Sequence, residues 1–280
     1  IQRLKDRKNK EWTEERLETF ITNGAMLEHL HRYAMLSEIV KGKTVLDIAC
    51  GEGYGSNILS KNANKVIAID IDAATIKKAS IKYKKENLSF KTGAVQKIFC
   101  EEQSIDIIVC FETIEHVEDH NKVMSEFKRV LRPEGLLIIS TPDKLNYSDK
   151  SDYINPFHKK ELYDTEFKTL ITDHFQFSDF YKQKSFAGSI IQSEKKYEIK
   201  EFYQGDFTNI ETNTKFKPVY WIALASDKPI PSLPNGIYMH EKSIAELLFE
   251  EADAVRKTLT FKAGSFILWP FKGIKSLFKK

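Results

Sequence analysis

From residue 26 onward the apolar positions switch between two spacings, and the switching predicts helices and strands in succession. Met26 to Val40 reads as a helix that is apolar on most sides through Leu27, Leu30, Ala34, Met35, Leu36 and Ile39, so extensive burial is expected. Thr44 to Ile48, Lys65 to Ile71, Leu88 to Thr92, Ile105 to Phe111 and Gly135 to Thr141 read as strands. Helices are expected near Tyr54 to Ser60, Ala73 to Lys84 and Asn121 to Leu131. In the last of these, Val123, Met124, Phe127, Val130 and Leu131 share one face. This is a βαβ succession, which predicts a parallel sheet with helices on both faces.

Further along, Asp164 is placed to cap a helix through Ile171, and strands are expected at Phe175 to Lys182 and Val219 to Ala225. The polar stretch from Ser185 to Phe216 reads as an insertion before the last strand, with Tyr197, Phe202 and Tyr203 as candidates to stack on a sugar. Pro229, Pro231, Pro234 and Gly236 mark a linker, followed by a helix from about Glu241 to Leu259. In the tail, Phe271, Ile274, Leu277 and Phe278 fall on one side of a helix started by Pro270, amid Lys272, Lys275, Lys279 and Lys280. That basic amphipathic pattern suits peripheral contact with an anionic membrane. The expected organisation is a lead-in of residues 1–25, a main domain of 26–228 and a helical extension of 229–280.

Composition narrows the class. The 280 residues are 41% hydrophobic and 30% charged, enough for one main domain with a real core. No apolar run approaches the roughly 18 to 20 residues of a membrane span. Cys50, Cys100 and Cys110 are too few and too irregular for a disulfide framework or a Cys-rich zinc site, which suits a reducing, cytoplasmic setting. The chain opens at Ile1 on charged residues without a secretory apolar segment, and reads as a piece of a longer protein. The net charge is +3, but residues 1–10 carry +4 and residues 261–280 carry +5, which leaves −6 on the body. A body of that sign is a poor nucleic-acid binder.

The strongest chemical signal is Val45-Leu46-Asp47-Ile48-Ala49-Cys50-Gly51-Glu52-Gly53-Tyr54-Gly55, a strand leading into a glycine turn and a helix. Glycines let backbone approach a ligand, and the helix start offers free N–H groups. Asp70 ends the second strand nineteen residues after Gly51, where a carboxylate can accept both hydroxyl protons of a ribose. A dinucleotide fingerprint needs glycine at position 56, where Ser56 stands, so NAD is disfavoured.

This D-x-x-x-G-x-G-x-G element resembles motif I of the class I S-adenosylmethionine-dependent methyltransferases, with Asp47 as its acidic residue. Ile105 to His116 resembles the family's fourth-strand motif, and Leu131-Arg132-Pro133-Glu134-Gly135-Leu136-Leu137 its turn into the fifth strand. The resemblance covers about residues 26 to 226. It implies a Rossmann-like, doubly wound, mostly parallel seven-stranded sheet with S-adenosylmethionine as cofactor. Asp47, Gly51, Gly53, Tyr54 and Ile71 belong to the implied cofactor site, where Gly51 and Gly53 border the methionine part and Asp70 holds the ribose. Ala94 and Val95 flank the adenine in this reading. The commonest pattern has Asp in place of Ala94, so adenine N6 is expected to bond backbone, water or Gln96. Phe111 is expected near the sulfonium, where an aromatic face stabilises a cation by about 1 kcal/mol. Arg32 is expected to partner the methionine carboxylate, while His31 reads as structural.

Glu28-His29-Leu30-His31-Arg32-Tyr33 and Asn155-Pro156-Phe157-His158-Lys159-Lys160-Glu161-Leu162 resemble methyltransferases of bacterial O-antigen and capsular polysaccharide assembly, some fused to glycosyltransferases. The implied acceptor is a hydroxyl of a glycan or sugar nucleotide, a weak nucleophile that must be aligned and deprotonated. His116 is the first candidate base; His158 is expected to orient the hydroxyl, with Glu115 as the alternative carboxylate. Two other readings stand beside this one: a methyltransferase for quinones or aminosugar nucleotides, and a non-catalytic docking module of a polysaccharide assembly complex. His116 and His120, four apart, fit a metal face only if their segment is helical; Asp119 or His120 leading into the next helix is the expected reading, with no metal.

Overall fold

The computed structural model describes residues 24–150, 154–185, 189–195, 202–205, 210–213 and 217–239, with scattered positions between 246 and 261. In chain order the elements are α1 (Gly24–Met35), β1 (Thr44–Ile48), α2 (Tyr54–Leu59), β2 (Lys65–Asp70), α3 (Ala73–Lys82), β3 (Leu88–Thr92), β4 (Ile105–Phe111), α4 (His120–Val130), β5 (Leu131–Pro142), α5 (Asp164–His174), β6 (Phe177–Ser185), β7 (Ser189–Ser193), β8 (Phe202–Gly205), β9 (Ile210–Asn213), β10 (Tyr220–Ser226) and β11 (Gly236–Tyr238). Nine strands form one sheet in the order β11-β7-β6-β10-β5-β4-β1-β2-β3, and β8 with β9 forms a separate pair. The strands from β3 to β5 run parallel. β10 enters antiparallel between β5 and β6, and β7 and β11 continue antiparallel beyond β6.

The central parallel strands β1, β2 and β4 are near-continuous apolar runs because both of their faces are covered, while β3 at the edge alternates apolar and polar residues. On β4, Ile108 and Cys110 join the core beneath α4 and α5, while Ile107, Val109 and Phe111 join the core on the opposite face with Leu36, Val40 and Leu59. The apolar stripe of α4 is used as its spacing predicts: Val123, Met124, Phe127 and Val130 are all fully buried. Asp119 caps that helix by accepting from the Lys122 N–H, and Asp72 caps α3 by accepting from Ala74.

Four expectations need correction. The sheet has nine strands in place of seven: β3-β2-β1-β4-β5-β10-β6 make up the expected seven, and β7 and β11 extend them. β7 lies inside the stretch read as an insertion, but Ile190 and Ile191 are buried, so it pairs with β6 as part of the main sheet. β11 lies in the stretch read as a linker. Its prolines precede an edge strand, and Leu233 is anchored by both backbone groups to the Tyr181 hydroxyl, its N–H donating at 3.0 Å and its carbonyl accepting at 3.3 Å. The first compact unit accordingly runs to Tyr238, and residues 239–280 form a second. Finally, Asp164 is the first residue of α5 instead of its cap; the Tyr163 N–H before it donates to Glu166 Oε2 at 2.9 Å.

The lead-in up to residue 23, Tyr197, and the amphipathic tail after Phe261 lie outside the described residues, as do the side chains of Phe202 and Tyr203 and most of the helix expected after Glu241. Among the described residues no helix is long and apolar enough to cross a membrane.

Replacing Tyr181 by Phe leaves the buried N–H and C=O of Leu233 without this partner. The expected cost is about 1–3 kcal/mol, read from the midpoint of urea unfolding; an unchanged midpoint would show that the 229–238 segment does not depend on this tether.

Candidate active site

The turn after β1 concentrates backbone that L-residues avoid. Ala49, Gly51 and Gly53 have φ of 59°, 53° and 77°. A Cβ on Gly53 would meet the Phe90 ring at 2.5 Å, and one on Gly55 would meet the Tyr33 ring at 2.0 Å, so both glycines are required by packing. Gly51 differs: nothing lies within 4 Å of the position its Cβ would take. Its surface is open, as a backbone that receives a ligand must be. On β2, Asp70 accepts from the Gly51 N–H through Oδ2 and from the Asp72 N–H through Oδ1, both at 2.9 Å. A carboxylate oxygen can accept more than one hydrogen bond, the chemistry that ribose hydroxyls require. Ile71 beside it is 71% exposed, and Phe99, 62% exposed, lies near Gly93 at the end of β3. Both offer apolar surface for a planar base.

Asp47 lies beneath the turn. Its oxygens accept from the Ser56 hydroxyl at 2.5 Å and the Tyr33 hydroxyl at 3.3 Å, so the residue positions the loop and helix α2. Ser56 is therefore used where a dinucleotide fold needs glycine. Burial pushes the Asp47 carboxyl up to about 7, against the pull of these two hydrogen bonds.

At the end of β4, Glu112 is held at a φ of 49°, a second non-glycine left-handed residue beside Ala49 on the adjacent strand. Such backbone costs about 1–3 kcal/mol and persists where the surroundings enforce it. Here Ser140 donates to Glu112 Oε1 at 2.6 Å, and Arg32 Nη1 lies 3.1 Å from the same oxygen. Arg32 is 1% exposed. Its Nε donates to Gln183 Oε1 at 2.6 Å, and its guanidinium lies 4.6 Å from the Tyr220 ring centroid and 5.9 Å from that of Phe111. The contact with Glu112 is an ion pair out of line for a hydrogen bond, and among the described residues Nη1 and Nη2 have no hydrogen-bond partner. Two buried, unsatisfied donors of one guanidinium fit a carboxylate.

The histidines meet on the far side of β4. The 3₁₀ turn Ile114–His116 receives the loop after β5: the Glu115 carbonyl accepts from Lys159 and Lys160, at 2.8 and 3.0 Å. His116 Nδ1 lies 3.0 Å from the Phe157 carbonyl, which only accepts, so Nδ1 carries the proton and the neutral ring has its lone pair on Nε2. His158 Nδ1 lies 2.5 Å from Glu161 Oε1 and is the donor there; its Nε2 accepts from Asn155 Nδ2 at 3.0 Å. The two imidazoles stand edge to face at 5.0 Å, with Tyr147 stacked on His158 at 5.6 Å.

Residues 46–139 match the family model described as a methyltransferase domain. A Mycolicibacterium smegmatis protein named a probable S-adenosylmethionine-dependent methyltransferase is 35% identical over 149 residues, covering 52% of this chain and 57% of its own length. A Mycobacterium tuberculosis protein of the same description is 33% identical over 154 residues, 55% of this chain and 56% of that one. The chain thus spans a little over half the length of these curated relatives. A Coxiella burnetii ubiquinone biosynthesis O-methyltransferase is 31% identical over 104 residues, 36% of this chain and 44% of its own. In fold, an S-adenosylmethionine-dependent methyltransferase from Thermotoga maritima matches with a TM-score of 0.53 at 14% identity, over 72% of this chain and 90% of its own.

The methyltransferase-domain match spans residues 46–139, and the relatives aligned with about half of this chain are named probable S-adenosylmethionine-dependent methyltransferases. The residues at the carboxyl ends of its strands fit that cofactor: Gly51 is open, Asp70 faces the turn, and Arg32 has buried donors to spare. Other expected cofactor residues are placed differently. Tyr54 turns its hydroxyl to His29 Nδ1 at 2.9 Å, and Val95 is buried in the core, so only its backbone can flank a base. Ala94 remains half-buried in a tight turn closed by the Lys97 N–H. Phe111 is packed edge-on against Tyr33 at 5.2 Å and already faces one cation, Arg32. His31 is structural as expected, with Nδ1 3.1 Å from the Ser189 hydroxyl.

Glu115 is 1% exposed, and burial, with the Glu112 carboxylate nearby, raises its carboxyl well above the usual range. His120 does not join His116: its Nε2 donates to the Ile114 carbonyl at 2.9 Å as the first residue of α4. Glu161, Tyr147, Gln183 and Tyr220 are additions. Glu161 stands within the Asn155–Leu162 stretch, three residues after His158, the spacing that lets them pair. Gln183 and Tyr220 arrive from antiparallel strands, and no local motif marks them.

The Asp47 carboxyl binds its proton more tightly folded than unfolded, where its ordinary value is 3.8. Its contribution to stability is therefore full below about pH 4 and is lost as pH rises through about 7. Asp47→Asn should become progressively more stable relative to wild type across that window, by on the order of a few kcal/mol. Melting curves that stay parallel from about pH 4 to 8 would refute the assignment.

Proposed function

We propose that this domain transfers a methyl group from S-adenosylmethionine to a hydroxyl oxygen of a carbohydrate, in the assembly of a cell-surface glycan. The observation that carries the reading is the pair of unsatisfied, buried Arg32 nitrogens, which a carboxylate-bearing cofactor satisfies, together with the open Gly51 turn, which leaves backbone accessible to it. Asp70 accepts from hydroxyl groups at the other end of the same turn. When bound, S-adenosylmethionine supplies a methyl carbon made electrophilic by a sulfonium.

The acceptor side is assigned to the corner of His116, His158 and Tyr147. A sugar hydroxyl is weakly acidic, so a group there must relieve it of its proton as the new bond forms. Phe157 and Glu161 hold both Nδ1–H groups, so the tautomer that can accept a proton has its lone pair on Nε2. The carbohydrate reading is supported by where its two resembling stretches fall: Glu28–Tyr33 contributes Arg32, and Asn155–Leu162 contributes His158, Asn155 and Glu161. A phenolic acceptor is the second reading, favoured by the Coxiella burnetii ubiquinone O-methyltransferase among the relatives.

Labelled S-adenosylmethionine, incubated with the protein and with sugar nucleotides, lipid-linked glycans or a catechol, separates these readings by which product carries the label. Exclusive labelling of the catechol would overturn the carbohydrate assignment. Asp70→Ala is expected to weaken S-adenosylmethionine binding by about 1.5 to 3 kcal/mol in calorimetry, since charge-assisted bonds are lost; unchanged affinity would remove Asp70 from the site. His116→Ala is expected to lower turnover by about two orders of magnitude with cofactor affinity retained. Retained turnover would take His116 out of the chemistry.

A further inference from the structure

We propose that Glu115, His116 and His158 bind a divalent transition-metal cation through three protein ligands, leaving a position for the acceptor oxygen. One ligand atom from each of the three residues lies within 4.8 Å of the other two. Ligands at about 2.0 to 2.2 Å from a shared cation are at most about 4.4 Å apart, so closing the set takes only small side-chain shifts. Glu115 Oε1 and His116 Nε2 are already 3.9 Å apart.

The groups behind the ligands are those a metal site needs. A metal-binding histidine coordinates through one nitrogen and donates the other N–H to a carbonyl or carboxylate, which fixes ring and tautomer. His116 does this with the Phe157 carbonyl and His158 with the Glu161 carboxylate. Glu161 Oε1 is fixed in turn by the Ser148 hydroxyl at 2.8 Å, and Glu115 Oε2 faces the Thr141 hydroxyl at 3.4 Å. Both Nδ1–H groups are thus committed away from the cluster, and coordination falls to Nε2 of each ring. The cation takes the place of the Asn155 amide hydrogen at His158 Nε2. Two imidazoles and one carboxylate favour zinc, cobalt or manganese over magnesium or calcium, which prefer all-oxygen sets. The His116 side chain is 30% exposed, which leaves that side of the set accessible to an acceptor.

The catalytic consequence rests on the proposed function. The acceptor hydroxyl, coordinated at the remaining position, is acidified and gives its proton to water. Its oxygen then forms the bond to the methyl carbon as the carbon–sulfur bond breaks, with that electron pair staying on sulfur. A positive charge enters on the sulfonium and leaves as the released proton.

The test is a titration of the chelator-treated full chain with Co²⁺, followed by visible absorption, and with Zn²⁺, followed by calorimetry. One equivalent per chain with a ligand-field band is expected, and loss of that equivalent in both His116→Ala and His158→Ala. Glu161→Gln, which keeps the ligands, should weaken binding about tenfold or more. Circular dichroism and S-adenosylmethionine affinity show that each variant is folded. No binding, or binding indifferent to both histidines, overturns the site. Chelated protein that binds S-adenosylmethionine but has lost turnover about 100-fold, restored by Zn²⁺ or Mn²⁺, supports the catalytic role, and full turnover after chelation overturns it. Failure of untreated protein to bind S-adenosylmethionine would instead overturn the proposed function, while the Co²⁺ result would still decide the metal site.

Discussion

A guanidinium taken out of water organises this domain. Arg32 is buried within a protein that offers it one misaligned carboxylate, one amide oxygen and two aromatic faces. Burying a charge costs several kcal/mol unless its partners are well arranged, and those partners come from distant parts of the chain: Glu112 after β4, Gln183 on β6, and Tyr220 on β10. Helix α1 cannot shift without leaving this charge uncompensated. Gln183 and Ser185 secure the same helix through Glu28, the amide donating to its carbonyl at 2.9 Å and the hydroxyl to its carboxyl. The antiparallel half of the sheet thus fixes the helix that supplies a charge to the parallel half.

The parallel half contributes strain. Ala49 and Glu112 follow neighbouring strands, both in left-handed backbone, and both turn the chain sharply at the edge where a doubly wound sheet opens its crevice. Gly51 supplies the remaining freedom and the open surface. Such conformations hold because the strands below are locked in register: β1 is hydrogen-bonded on both sides, to β2 and to β4. Rigidity in the core maintains an edge that would otherwise relax.

Legibility in the sequence followed the physics of each element. Runs buried on both faces announce themselves by continuous hydrophobicity, so Thr44–Ile48 and Ile105–Phe111 match their expected bounds, and the alternating edge run Leu88–Thr92 matches as well; other elements of the parallel half differ by one or two residues, except α1, which begins and ends earlier, and β5, which begins four residues sooner. β7 and β11 are hidden because short strands at the end of a sheet hold their place through tertiary partners such as Tyr181, and prolines before β11 mimic a linker. Motif residues were found, but their direction was not. Asp47 lies on a strand buried on both faces, and spacing alone does not say whether its carboxylate looks up at a ligand or down at Ser56. The pairing of His116 with His158 needed two segments 41 residues apart to be brought together.

That pairing depends on a single carbonyl more than on either imidazole. The Glu115 C=O receives two successive N–H groups, from Lys159 and Lys160, and so fixes the loop after β5 against the turn after β4. Phe157 then presents its own carbonyl to His116, while Asn155 holds both the Phe157 N–H and His158 Nε2. Backbone bonds cannot be altered by substituting a side chain, so the mutual placement of the rings is set by chain geometry, and side chains decide only what the rings do. An acceptor site built this way tolerates changes in the residues that touch the acceptor without losing the spacing of the two histidines. In the proposed function, the choice of acceptor then falls to side chains such as Tyr147, stacked on His158, and not to the fold.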